Sequence, residues 1–285
     1  MIFRELGWRD GEILNLEEMQ LPSHDRTLLY GLGAFETFCM YGQTPFLLDR
    51  HLERLGQSLS LLGLPTPSAV EEVSSGVPDL AQALEVEEGV IRLTVTAGAD
   101  GAGRGGMKTL MHVRDIPPAP LSPVKVGLAD YAPDSRSPIS GVKSTSYLIH
   151  YLLRTIAEEN GRLDDLMVDH SGHVTEGTVS NVFAVRQGQL VTPPVSEGIL
   201  PGVTRGVVVE IAESLGLSVE EASLSVEDLS VVEECFLTGA IKGLVPVDVL
   251  IGRELEESRP VSRQLLEGFV QRVNKTCGVA LSLPA

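Results

Sequence analysis

The stretch IPPAPLSPVKV, residues 116–126, places four prolines between two patterned regions. Proline fixes φ and removes a backbone donor, so this stretch fits neither a helix interior nor a central strand. It reads as an extended linker, with a smaller N-terminal domain at 1–115, the connector at 116–124 and a larger C-terminal domain at 125–285. On its N-terminal side, 33–41 (GAFETFCMY) and 90–97 (VIRLTVTA) are rich in β-branched and aromatic residues and read as strands. Residues 49–62 carry Leu52, Leu55, Leu59 and Leu62 on one apolar helical stripe. On its C-terminal side, 147–159 sets Leu148, Leu152 and Ile156 four apart, and Gly161 follows as a stop. Residues 165–168 and 181–185 read as strands around a tight turn at Ser171-Gly172, and 204–215 as a helix ended by Gly216. Strands mixed with helices in both halves predict an α+β or mixed α/β architecture in two domains.

The bulk properties narrow the partners. The 285 residues hold 22 basic and 39 acidic side chains, a formal charge of −17. Such a surface repels phosphate backbones and anionic headgroups, which argues against nucleic acid and membrane. Cys39, Cys235 and Cys277 are widely spaced and odd in number, so neither a disulfide framework nor a zinc site is read from them. The N-terminal MIFRELGWRDGEI carries charges where a signal peptide needs an apolar core, and RGVVVEIA (205–212) is too interrupted to span a bilayer. The expectation is a cytoplasmic protein.

A few residues have chemical potential. Lys143, in ISGVKSTSYL, sits among apolar neighbours just before a helix whose cap is expected among Ser144, Thr145 and Ser146. Desolvation there favours the neutral amine that attacks a carbonyl, although a solvated lysine fits the same letters. Glu176, in HVTEGTVSNVF, offers a carboxylate able to keep a pyridine nitrogen protonated, or is simply a turn glutamate. Residues 198–205 (GILPGVTR) run into a helix N-terminus, where amides and dipole suit a phosphate; the bland reading makes Thr204 an ordinary cap. Arg54, on the polar side of its helix, is an anion-binding guanidinium or a surface arginine. Asp25-Arg26 before Gly31 and Gly33 lacks the spacing of a dinucleotide fingerprint, and His150, His170 and His173 show no convincing metal spacing. The loop 98–106 (GADGAGRGG) carries one cation, Arg104, and reads as a lid or a plain surface loop.

Six stretches stand in a telling order: DRTLLYGLGAFE (25–36), HLERL (51–55), KSTSYL (143–148), TEGTVSNVF (175–183), GILPGVTR (198–205) and TGAIKGLVPV (238–247). Together they resemble the class IV aminotransferase family, the two-domain, fold-type IV enzymes that use pyridoxal 5'-phosphate (PLP), with a D-amino-acid aminotransferase-like fold. The resemblance implies that Lys143 is the Schiff-base lysine and proton shuttle and that Glu176 faces the pyridine nitrogen. It implies that Arg54, the backbone of Val203 and Thr204, and the turn at Gly239-Ala240 hold the phosphate. Relatives often have a hydroxyl residue where this chain has Ala240, which leaves that contact to backbone amides or removes it. It further implies a homodimer and a small anionic amine as substrate.

Within the family, 92–106, 137–148 and 237–247 resemble most the 4-amino-4-deoxychorismate lyase branch, which releases pyruvate to leave 4-aminobenzoate for folate synthesis. That reaction is the expectation. The alternative is an aminotransferase acting on branched-chain or D-amino acids with 2-oxoglutarate. Against it, Arg104-Gly105-Gly106 lacks the histidine of the D-amino-acid enzymes' Arg-x-His trap, and 177–181 differs from the glycine-rich stretch of the branched-chain enzymes. Cys39 stands where relatives often have arginine, which puts more of a substrate carboxylate's recognition on Arg104. Thr37 and Tyr147 are hydroxyl donors or packing residues. A reading of another class is a non-catalytic PLP-fold or small-anion-binding protein.

Overall fold

Strand alternation organises the first half of the chain. In the computed structural model, which describes residues 3–99 and 106–283, six strands form one sheet: β1 (Leu6–Arg9), β2 (Glu12–Asn15), β3 (Gly33–Tyr41), β4 (Thr44–Pro45), β5 (Gly89–Thr96) and β6 (Thr109–Arg114). Their order is β2-β1-β6-β5-β3-β4, and every pairing is antiparallel. Ala34, Phe38 and Met40 of β3 point to one face, where they meet Leu55 and Leu59 of helix α2 (Leu48–Leu61) and Val77, Leu80 and Ala81 of α3 (Val73–Ala83). The leucine stripe is therefore the core seam, with Leu55 and Leu59 fully buried and Leu52 and Leu62 partly so. A short helix, α1 (Arg26–Tyr30), precedes β3; the Asp25 side chain caps it and Gly31, in the left-handed region, ends it.

The second half contains two further sheets. One has the order β12-β11-β10-β14-β15 and the other β13-β9-β8-β7-β16-β17. Their strands are β7 (Lys125–Leu128), β8 (Asp164–Val168), β9 (His173–Gly177), β10 (Asn181–Arg186), β11 (Gln189–Thr192), β12 (Val219–Glu221), β13 (Leu224–Ser225), β14 (Glu234–Gly239), β15 (Gly243–Pro246), β16 (Val249–Leu250) and β17 (Arg253–Glu254). Inward residues of both sheets, among them Val126, Leu166 and Val174 from one and Val182, Val191 and Leu237 from the other, share one buried cluster. Helices α4 (Leu148–Glu159) and α5 (Val203–Ser214) fall within a residue of the sequence reading; the short α6 (Val226–Leu229) follows, and α7 (Pro260–Cys277) closes the fold. The turn at Ser171-Gly172 joins β8 to β9, with Gly172 at φ +84°. Residues 181–186 belong to the other sheet, so the expected pairing of 165–168 with 181–185 around that turn is replaced by β8 with β9.

The chain forms two compact units. The first runs to Pro117 and also takes Val142–Tyr147 and Val273–Ala280; the second takes Pro118–Gly141 and Leu148–Arg272. This division departs from a split by sequence order, because the segment with Lys143 packs with the first unit. Backbone pairing is the reason. Phe35 N–H donates to the Lys143 carbonyl at 3.0 Å, Thr145 N–H donates to the Gly33 carbonyl at 2.9 Å, and Ala34 bridges Ser144. The segment is thus a short antiparallel addition to the edge of β3.

Among the described residues, no helix is long and apolar enough to cross a membrane. The stripe on α4 is not core: Leu148 is 66 % exposed, Leu152 46 % and Ile156 48 %, and Ala157 is the helix's buried residue. Leu55→Ala is expected to lower unfolding free energy by about 2–5 kcal/mol in a denaturant titration. The exposed Glu53→Ala, on the same helix, is expected to change it by under about 0.5 kcal/mol.

Candidate active site

Lys143 is half-buried, with its Nζ 4.6 Å from the centre of the Phe35 ring and 5.5 Å from that of Tyr147. The two rings meet edge to face at 5.1 Å. The lysine precedes α4 by five residues, and the hydroxyls expected to cap that helix are used elsewhere. Thr145 Oγ1 and Ser146 Oγ both donate to the Gly31 carbonyl, at 2.6 and 3.2 Å. Tyr147 therefore contributes a ring wall beside the amine. Thr37, on the same face of β3 as Phe35, lies opposite Arg92 of β5 in register.

Arg92 was not singled out in the sequence because a lone arginine in a β-rich run carries no motif. Its Cζ stands 3.7 Å over the Phe35 ring centre, and His112 of β6 lies opposite it in register. Burial lowers the Arg92 pKa, and the nearby Tyr147 opposes the fall. Among the described residues no carboxylate pairs with it.

Arg54 is not a surface arginine. Together with His51 and Ser58 it makes the second buried stripe of α2, the one that faces Glu36 of β3. Its Nε and Nη2 donate to the two Glu36 oxygens at 2.8 and 2.7 Å, a bidentate pair. His51 Nδ1 lies 2.8 Å from Glu36 Oε2. Burial raises the Glu36 pKa, but the hydrogen bonds from His51 and Arg54 outweigh it and hold the carboxyl at about 2. Burial pushes the His51 pKa down despite Glu36, so the neutral ring donates its Nδ1–H to the carboxylate.

The second unit holds the remaining candidates. Glu176, half-buried on β9, accepts from Asn181 Nδ2 at 3.2 Å and from Leu200 N–H at 3.2 and 3.3 Å to its two oxygens. Asn181 Nδ2 also donates to the Leu200 carbonyl at 3.0 Å, tying β10 to the loop before α5. Thr204 is buried within the first turn of α5, and the cap is Gly202, which makes no side-chain capping bond. A Cβ on Gly202 would meet Asn181 Oδ1 at 2.0 Å, so a side chain there would fill the cradle at the helix start. Val203 lies at that start; Gly239 is the last residue of β14 and Ala240 follows it. Arg104 lies outside the described residues.

Each unit by itself offers groups that suit part of an aromatic aldehyde phosphate: the first a half-buried primary amine, the second a carboxylate that accepts from Asn181 and the Leu200 amide and a helix start kept open by glycine. Similarity to known proteins agrees. Residues 33–250 match the family model of class IV amino-transferases. This chain belongs to the class IV aminotransferase family. A Methanocaldococcus jannaschii protein, provisionally assigned as a branched-chain-amino-acid aminotransferase, is 32 % identical over 91 % of this chain and 93 % of its own length. The aminodeoxychorismate lyase of Bacillus subtilis is 28 % identical over 83 % of this chain and 84 % of that protein. The branched-chain aminotransferase of Thermoproteus uzoniensis superposes with a TM-score of 0.86 at 28 % identity, covering 96 % of this chain and 95 % of the other. The fold is that of the fold-type IV enzymes, and the chain is a PLP-dependent enzyme of the family.

The Glu36 carboxyl is held below its ordinary value of 4.5, so its contribution to stability is present above that pH and lost as pH falls towards about 2. The advantage of wild type over Glu36→Gln, on the order of 3 kcal/mol at neutral pH, is therefore expected to shrink across that acid window in urea titrations. An advantage that stays constant with pH would refute the assignment of charge to Glu36.

Proposed function

We propose that this chain is an aminotransferase that moves the amino group of a branched-chain amino acid to a 2-oxo acid, with PLP carried on Lys143. The choice of transamination is carried by one observation. The relative assigned to the branched-chain aminotransferases matches this chain at 32 % over 91 % of its length, whereas the lyase matches at 28 % over 83 %. The lyase reading suggested by 92–106, 137–148 and 237–247 stands second, supported by that B. subtilis relative.

When bound, PLP supplies the electron sink for the charge left after proton loss from the substrate. In this reading Lys143 Nζ would hold the cofactor covalently, and the same amine would serve as the base that takes and returns the substrate's α-proton. Glu176, which accepts from Asn181 and the Leu200 amide, would face the pyridine nitrogen and favour its protonated form. Arg54, preset by Glu36, and the amides of Val203 and Thr204 take the phosphate, with the Gly239-Ala240 backbone completing the set; Ala240 brings no hydroxyl. Arg92 provides a cation for the substrate carboxylate, and Phe35 and Tyr147 provide apolar walls. Arg104 is a second candidate for that carboxylate. A homodimer accounts for the apolar face of α4, where Tyr151 is also 66 % exposed.

Purified protein is expected to be yellow, and borohydride is expected to fix PLP to Lys143. Lys143→Ala is expected to lose the fixed adduct and about 10²–10⁴-fold in turnover. L-leucine with 2-oxoglutarate is expected to give glutamate, while D-alanine and aminodeoxychorismate are not consumed. Pyruvate from aminodeoxychorismate, with no turnover of amino acids, would establish the lyase instead. Sedimentation is expected to give a dimer, and Leu152→Asp on α4 to shift it towards monomer.

A further inference from the structure

We propose that Arg114 and His112, beside Arg92, form a second anion subsite on the first unit. It receives the distal carboxylate of a dicarboxylic 2-oxo acid the size of 2-oxoglutarate, the acceptor of the amino group. The identity of the reaction rests on the reading of the chain as an aminotransferase; the subsite rests on the side chains of one sheet face.

Strand pairing sets the positions. Residues directly opposite on paired strands point to the same face. Thr37, Arg92 and His112 therefore form one row across β3, β5 and β6, and Cys39, Val90 and Arg114 form the next. This face is turned away from the core under α2 and α3, to which the alternate residues Phe38, Ile91 and Val113 belong. Its apolar members Cys39 and Val90 are buried, whereas Arg92, His112 and Arg114 are half-buried. Arg92 leans over Phe35, which lies opposite Thr94 and so on the far side of Arg92 from Val90 and Arg114. Arg114 stands at the Cys39 end, where its charge acts on that thiol.

Among the described residues no acid side chain pairs with Arg92, His112 or Arg114. Asp115 follows Arg114 but pairs with Arg4, and it offers Arg114 its carbonyl oxygen at 3.5 Å. Burial lowers the pKa of Arg92, Arg114 and His112 alike, and the Arg92 charge lowers that of His112 further. Phe3 packs against the His112 ring with centroids 5.3 Å apart, leaving a neutral imidazole to donate one N–H. The chain carries a formal charge of −17, so two half-buried guanidinia on one face make a local field opposed to the global one. Cations withdrawn from water are costly unless an anion pairs with them. The spacing suits two carboxylates. Diagonal neighbours on paired strands have Cβ atoms about 7 Å apart, and the lean of Arg92 towards Phe35 widens the gap between the heads. The carboxyl carbons of an extended five-carbon diacid lie roughly 5 Å apart; with about 4 Å more to each guanidinium carbon, the diacid bridges up to about 13 Å. A monocarboxylate of the same length pairs with Arg92 and leaves Arg114 unanswered.

The test is calorimetric titration of the full-length holoenzyme with glutarate, which keeps both carboxylates, and with pentanoate, which keeps one. Wild type is expected to bind glutarate at least about tenfold more tightly. Arg114→Gln is expected to weaken glutarate about 10–100-fold and pentanoate by less than about twofold, and His112→Asn to weaken glutarate about threefold. In turnover with L-leucine, Arg114→Gln is expected to raise KM for 2-oxoglutarate by the same factor as the glutarate loss. Its kcat, and its KM for 2-oxopentanoate, are expected to stay near wild type. Unchanged glutarate affinity in Arg114→Gln, or equal losses for the two acids, would overturn the proposal. Should that variant fail to fold, glutarate bound by wild type no more tightly than pentanoate would overturn it alone. The two readings fail separately. A chain that transaminates L-leucine while Arg114→Gln keeps its glutarate affinity ends only the subsite; loss of glutarate in that variant of a chain that transaminates nothing upholds the subsite and ends the aminotransferase reading.

Discussion

The backbone pairing between 143–145 and the edge of β3 is the constraint on which the first unit's chemistry depends. Two hydrogen bonds, Phe35 N–H to the Lys143 carbonyl and Thr145 N–H to the Gly33 carbonyl, tie a segment remote in sequence to the strand that also carries Phe35, Glu36 and Thr37. A lysine side chain has several rotatable bonds, and fixing its backbone removes much of the freedom that would otherwise oppose a defined position for the amine. The rings of Phe35 and Tyr147 then confine the rest of the chain of methylenes. The result is an amine on a sheet edge, a stiffer mount than a free loop.

Opposite faces of β3 divide the electrostatic work. On one, Glu36 is completely buried, a position that costs a carboxylate several kcal/mol unless it is paired and hydrogen-bonded. His51 and both nitrogens of the Arg54 fork satisfy it, and the whole cluster hardens the α2 contact with the sheet. On the other face, Arg92 has a ring in place of a carboxylate. A guanidinium neutralised by a buried acid is a structural donor with fixed direction.

In the second unit the corresponding order comes from one amide side chain. Asn181 donates to Glu176 and to the Leu200 carbonyl, and the Leu200 N–H returns to Glu176. This loop of hydrogen bonds joins two strands to the lead-in of α5. Gly202 belongs to the same arrangement, because any side chain there would collide with Asn181. The carboxylate and the open helix start are consequently set by a single packing solution.

Periodicity determined much of the local structure: β3, α2, α4 and α5 lie within a residue or two of the positions their apolar spacing predicts, and six ordered motifs were enough to indicate the family and its cofactor. These are properties of neighbours along the chain, where side-chain spacing and backbone geometry are directly coupled. The tertiary structure decided what depends on partners distant in sequence. The polar stripe of α2 is buried because Glu36 waits on β3, while the apolar stripe of α4 is exposed because no described residue covers it. The segment with Lys143 joins the first unit through strand pairing that no local pattern encodes, and cross-strand packing is what brings Arg92 over the Phe35 ring. Hydrogen bonding across a sheet and contacts between side chains of paired strands act through space, so letters read in order do not reveal which residues they join.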